Sequence, residues 1–192
     1  MRLDNYYETR LIYIRMRRIV IVGTSGSGKT TVARQLSQRL AIPHIELDAL
    51  YLEVNWTAAS PIVFQERTIQ ALSGDAWIID GNYSSVRNII WSRAETIVWL
   101  DYSLWTIMRQ LLRGTFRRIL TQEELWNGNR EPIRTIFFSK DSILLWALQT
   151  YRRWGREYPV LFSKPEYAHL QVVHLHSLRA TREWLASLPK GG

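Results

Sequence analysis

Cysteine is absent from the 192 residues, which excludes disulfides, thiolate metal sites and thiol nucleophiles. Long apolar runs are absent too. No stretch approaches the ~20 residues that span a bilayer. Near the N-terminus the longest apolar stretch is Leu11-Ile12-Tyr13-Ile14, short of the about 7–15-residue core of a secretory signal. Acidic residues are scarce beside basic ones, 17 against 25, for a net charge of +8. There is no internal repeat, low-complexity tract or Pro/Gly-rich linker. These absences leave a cytoplasmic protein as the expectation, monomer or homodimer, with no membrane attachment. Its length suits one domain, and its charge suits polyphosphate ligands or nucleic acid.

What is present begins with Gly23-Thr24-Ser25-Gly26-Ser27-Gly28-Lys29-Thr30, which fits G-x-x-x-x-G-K-[ST] directly after the apolar run Ile19–Val22. A buried strand aims such a turn at a helix N-terminus, where backbone N–H groups converge and the helix dipole adds positive potential. Gly23, Gly26 and Gly28 let the backbone approach a phosphate. Lys29 would reach the β- and γ-phosphates and Thr30 would ligate Mg²⁺. Together with Thr31, these residues form the candidate site for a nucleoside triphosphate.

Five apolar runs read as buried parallel strands: Arg18–Val22, His44–Leu47, Trp77–Asp80, Thr96–Leu100 and Gln171–His176. Helical patterns separate them, over Lys29–Leu40, Pro61–Leu72 (capped by Ser60), Leu104–Leu120, Pro132 to about Arg156, and onward from Leu178 behind Ser177. Alternating strands and helices imply an α/β, doubly wound domain over residues 16–192. Residues 1–15 form an N-terminal extension, either an edge element through Leu11–Ile14 or a leader before a start at Met16. Residues 121–134, with a capping box at Thr121 and Glu124 and the run Asn127-Gly128-Asn129-Arg130, read as a connection near the phosphates. They close a lid region of about 109–134.

Ligands of open α/β sheets bind beyond the carboxyl ends of the strands, and three strands here end in an aspartate. Asp80, in Trp77-Ile78-Ile79-Asp80-Gly81, is the candidate magnesium partner beside Thr30; a turn aspartate is the alternative. Asp48 is the candidate on the acceptor side, where it would take the acceptor's proton; a helix N-cap is its alternative. Asp101 reads more simply as a cap for the helix near Leu104. Arg109, Arg113 and Arg117 recur every four residues, as a lid clamp on the transferring phosphoryl group or as a solvated basic face. Arg87 is a candidate acceptor ligand. His174 and His176 share a strand face without a third ligand at useful spacing, so all four histidines read as structural. Trp56 and Trp126 fall in candidate loops, where they could stack on a base or cover a site.

The succession GTSGSGKT (23–30), IPHIELDALY (42–51), WIIDGNYSS (77–85), IVWLD (97–101), an Arg-rich helix and WNGNRE (126–131) resembles the adenylate-kinase-related P-loop proteins. More narrowly, it is similar to the small bacterial group of topology modulation proteins or adenylate-kinase-like ATPases. The resemblance implies a three-layer fold with a five-stranded parallel sheet in the order 2-3-1-4-5 and a small lid after the fourth strand. Nucleoside monophosphate kinases end their third strand in Asp-Gly-Phe-Pro-Arg. Here Asp80-Gly81 match, whereas Asn82-Tyr83-Ser84 depart and no arginine takes the fifth position, which speaks against adenylate as acceptor. Asp48 is instead similar to the aspartate of the shikimate and gluconate kinase pattern.

The expectation is therefore a Mg–ATP-dependent kinase. It uses Lys29, Asp48, Asp80, Arg109 and Arg113 in catalysis, with Asp48, Arg87 and Arg117 toward a small acceptor: nucleotide, nucleoside or metabolite hydroxyl. The competing expectation is an ATP-dependent, nucleic-acid-associated regulator. No recognition helix or RNA-binding signature supports nucleic acid as the partner.

Overall fold

The computed structural model describes residues 16–121, 126–129 and 143–190. The proposed extension 1–15, the Thr121–Glu124 capping box beyond Thr121, and the start of the helix expected from Pro132 lie outside the described residues, as do Arg130 and Arg134. Five strands form one parallel sheet: β1 Arg18–Gly23, β2 His44–Glu46, β3 Trp77–Asp80, β4 Thr96–Leu100 and β5 Gln171–Leu175, in the order β2-β3-β1-β4-β5. Seven helices accompany them among the described residues: α1 Lys29–Leu40, α2 Leu47–Tyr51, α3 Pro61–Ala71, α4 Ser84–Trp91, α5 Leu104–Thr121, α6 Ile143–Phe162 and α7 Leu178–Ser187. This is the P-loop kinase fold.

The side-chain period of two sorts the central strands into two apolar layers. On one face Val20, Val22, Trp77, Ile79, Ile97 and Trp99 pack with Phe64 of α3, Ile90 and Trp91 of α4 and Tyr158 of α6. On the other, Ile19, Ile21, Ile78, Val98 and Leu100 pack with Val32 and Leu36 of α1, Ile107 of α5 and Leu185 of α7. Ser60 and Ser177 cap α3 and α7 through Val63 N at 3.3 Å and Ala180 N at 3.1 Å.

Four local expectations are corrected. Strand β2 stops at Glu46, and Leu47 opens α2, so Asp48 lies inside a helix and is not its N-cap. Asp101 does not cap α5 either: Ser103 Oγ accepts from Thr106 N at 3.4 Å. Helix α6 continues past Arg156 to Phe162, taking Pro159 into its final turn. The segment after Gly81 forms α4, a helix beyond those expected from the sequence. Val86, Ile90 and Trp91 give it a buried stripe, but its N-cap Tyr83 makes no capping bond.

Candidate functional site

The loop between β1 and α1 is shaped by its glycines and by what packs on it. Gly26 holds φ +82°, and a Cβ there would come within 2.9 Å of Leu111 Cβ, so only glycine lets α5 lie this close to the loop. Helix α5 presents Ile107, Gln110 and Leu111 to that loop, and Gln110 Oε1 lies 3.3 Å from where a Cβ on Gly28 would be. Arg109, Arg113 and Arg117 are exposed on the other faces of the same helix, outside this packing.

Lys29 Nζ folds back onto its own loop, donating to Gly23 O at 3.0 Å and Thr24 O at 3.3 Å. Burial pulls its pKa below the ordinary lysine value, and the carboxylates of Asp80 and Asp48 act against that fall. Ser27 Oγ and Asp80 Oδ2 are buried with no hydrogen-bond partner among the described residues. An ammonium, a carboxylate oxygen and a hydroxyl left short of partners at the mouth of a glycine turn fit a Mg²⁺–nucleotide. Thr30 is half-buried in the first turn of α1, and Thr31 is exposed.

The run Asp80-Gly81-Asn82-Tyr83 assigns each of its residues a separate task. Asp80 ends β3 beside the loop, buried, with its Oδ2 3.7 Å from His44 Nε2. Gly81 takes φ +136°, where an added Cβ would strike Leu47 Cβ at 2.8 Å; the glycine thus lets α2 approach the strand end. Asn82 pins the start of the loop in both directions. Its Oδ1 accepts from Gly23 N at 3.3 Å and its Nδ2 donates to Gly23 O, while Tyr158 OH donates to the same Oδ1 at 2.9 Å. Tyr83 OH donates to Asp48 Oδ1 at 2.6 Å, and its ring sits between Tyr51 and Phe64.

Asp48 is thereby held facing Lys29 and Asp80. Burial raises its pKa, opposed by the Tyr83 hydrogen bond and the Lys29 charge. Burial and the neighbouring carboxylate push the Tyr83 phenol far up, so it remains a hydrogen-bond donor. A small cavity beside this group is lined by Leu47, Gly81, Asn82, Tyr83 and Arg87. Arg87 lies over Trp91 at 5.6 Å and Trp154 at 5.8 Å, half-buried.

Residues 126–129 dock onto the chain on both sides of Asp48. Trp126 Nε1 donates to Glu46 Oε2 at 2.7 Å, and Asn127 Nδ2 donates to Leu52 O. Asn129 accepts from Trp56 N at 2.9 Å and donates to Glu53 O at 2.8 Å. Neither tryptophan is therefore an isolated loop residue.

Sequence reasoning missed Asn82, Tyr83, Asn129 and Gln110. The departures at Asn82 and Tyr83 from the nucleoside monophosphate kinase pattern were the available signal. Gln110 and Asn129 gave none, since their partners lie far away in the chain. His44 Nε2 is buried with no hydrogen-bond partner among the described residues. The sheet brings Asp101 alongside β5, with its Oδ2 2.9 Å from His174 Nε2 and 3.8 Å from His176 Nδ1.

A family model described as shikimate kinase matches residues 25–73, from the loop through α3. Over 73 residues the chain is 40% identical to a bifunctional pantoate ligase/cytidylate kinase of Gloeobacter violaceus, spanning 38% of this chain but only 12% of that longer protein. It is 26% identical over 122 residues to a shikimate kinase of Sulfurihydrogenibium sp., covering 56% of this chain and 74% of the relative. The solved shikimate kinase from Acinetobacter baumannii in complex with shikimate shares the fold, with a TM-score of 0.52 at 15% identity over 93% of each chain. Fold, loop and matches together define the class: the P-loop kinases, which are phosphotransferase enzymes. Within that class, the family match falls on the half of the site that carries Lys29 and Asp48.

Proposed function

We propose that the protein is a Mg–ATP-dependent kinase that phosphorylates a hydroxyl of a small metabolite. The observation that carries this reading is Asp48: a carboxylate enclosed beside Lys29 and Asp80, raised in pKa by burial and oriented by Tyr83. A carboxylate at that point suits an alcohol whose proton must leave as its oxygen attacks; a phosphate acceptor would call for cations there instead. Bound Mg–ATP supplies the transferable phosphoryl group and a divalent charge against its oxygens.

The chain's own groups do the rest. The loop N–H groups and Lys29 hold the phosphates, for which Lys29 gives up its bonds to Gly23 O and Thr24 O. Thr30 and Asp80 hold the metal side. Asp48 takes the acceptor's proton on a carboxylate oxygen, while Tyr83 keeps its donor bond to Oδ1 and fixes the side chain's direction. The Trp126–Asn129 turn, bonded across residues 46–56, keeps the acceptor segment closed over Asp48. Arg87 reaches the acceptor's far side. Arg109, Arg113 and Arg117 are exposed on α5 outside the loop packing, and a clamp on the transferring group would require them to turn toward it.

The test is acceptor-dependent ADP release from ATP with Mg²⁺, across hydroxylated metabolites, nucleosides and nucleoside monophosphates. Stimulation by an alcohol, abolished in Lys29→Ala, is expected; a panel no better than the Lys29→Ala control refutes the kinase. The exposed stripe Arg109, Arg113, Arg117 and the +8 charge favour one other reading, the nucleic-acid-associated regulator of the topology modulation type. In that reading DNA or RNA binding weakens steeply between low and moderate salt and responds to ATP.

A further inference from the structure

A second group of ionisable side chains sits on the opposite side of the phosphate loop. Asp101 follows β4, and His174 and His176 lie in and just after β5. Their ligand atoms all fall within 4.8 Å of one another. We propose that Asp101, His174 and His176 form a binding site for a divalent transition-metal ion of the Zn²⁺ class, separate from the magnesium of the transfer site and independent of the kinase reading.

The donor set is the first argument. Two imidazoles and a carboxylate suit Zn²⁺, Cu²⁺, Ni²⁺ or Fe²⁺ rather than Mg²⁺, which takes oxygen ligands and retains water. Geometry is the second. Ligand atoms each about 2.0–2.2 Å from a tetrahedral Zn²⁺ stand about 3.3–3.6 Å apart. His174 Nε2 and His176 Nδ1 lie 2.9 and 3.8 Å from Asp101 Oδ2, on either side of that spacing. Seating an ion among them requires His174 to move away from the carboxylate and His176 to move toward it. The site would keep one position open, as zinc sites with three protein ligands do.

Preorganisation is the third argument. Parallel pairing of β4 with β5 sets Leu100 opposite Leu175, and Asp101 N donates to Leu175 O at 2.9 Å, so the carboxylate's backbone is fixed against the histidine strand. His176 follows the last residue of that strand, and its ring lies 3.8 Å from the His174 ring, centroid to centroid. The His174 ring stacks on Trp99 with centroids 3.8 Å apart and planes 4° from parallel, which sets its orientation from behind. Two of the chain's four histidines are used here. Of the others, His169 Nε2 lies 3.2 Å from Trp91 O, and His44 lies beside Asp80.

The experiment is calorimetric titration of the full chain, chelator-stripped and free of nucleotide, with Zn²⁺ in excess Mg²⁺. Co²⁺ in place of Zn²⁺ gives the visible spectrum of the bound ion. One saturable equivalent is expected, with a tetrahedral nitrogen–oxygen Co²⁺ spectrum. Asp101→Asn and His176→Gln should each weaken it by more than tenfold, and His44→Gln should leave it in place. The His176 side chain is 67% exposed, so His176→Gln removes a ligand without opening the core. No saturable equivalent, or one that survives His176→Gln with unchanged affinity, would overturn the proposal.

Discussion

On the β2–β3 side of the phosphate loop the charged groups are enclosed: Asp80 is 4% exposed, Lys29 is bonded to its own loop, and Asp48 is held by Tyr83. On the β4–β5 side the same edge of the same sheet is open, with His174 and His176 exposed and Asp101 half-buried. The enclosed side has shifted pKa values, caused chiefly by burial. The open side offers ligand atoms without that cost of desolvation. On the two proposals, one end of the sheet would carry proton and phosphoryl handling among buried groups and ion binding among exposed ones.

The comparison is broken most severely at Lys29. Lys29→Ala is expected to lower acceptor-dependent ADP release by on the order of a thousandfold, read in a steady-state assay, by removing the cation that meets the phosphates. Next comes Asp48→Asn, with a loss on the order of a hundredfold or more in kcat. The same substitution should stabilise the fold. Because burial raises the folded-state pKa of Asp48, stability present at low pH is lost as pH rises through that pKa. Asparagine removes the loss, so the melting temperature should exceed that of the unsubstituted protein near neutral pH, and the gap should close in acid.

Smaller and sharper is Tyr83→Phe. The hydroxyl favours the ionised Asp48, so its removal raises the Asp48 pKa further. The acid limb of the kcat profile should move to higher pH, with rates converging on the unsubstituted ones where Asp48 is fully ionised. An unmoved limb would deny Asp48 the role of base. The smallest effect is expected at Asn129→Ala, which frees the acceptor segment at Trp56 N and Glu53 O. Acceptor KM should rise several-fold with kcat little changed, worth about 1 kcal/mol for a neutral hydrogen-bond network of this kind.

The enclosed side was the more legible of the two in the sequence, for physical reasons. Parallel strands buried on both faces read as short apolar runs, which located β1, β3 and β4, and the Gly23–Thr30 pattern marked the turn between β1 and α1. Serine caps announced α3 and α7. The strand order followed from family resemblance, not from the residues. Where a role depends on two strands lying side by side, the sequence was silent. Asn82 reaches Gly23 because β1 pairs with β3, and Asp101 meets His174 because β4 pairs with β5, across 59 and 73 positions of chain. Leu47 passed for a strand residue because an apolar run does not show where a helix begins.

The most direct measurement is acceptor-dependent ADP release by Asp48→Asn beside the unsubstituted protein, with Mg–ATP affinity determined for both. The account predicts equal nucleotide affinity and loss of nearly all acceptor-dependent turnover in Asp48→Asn. Turnover within a few-fold of the unsubstituted rate would contradict it, by showing that the enclosed carboxylate of the β2–β3 edge takes no part in phosphoryl transfer.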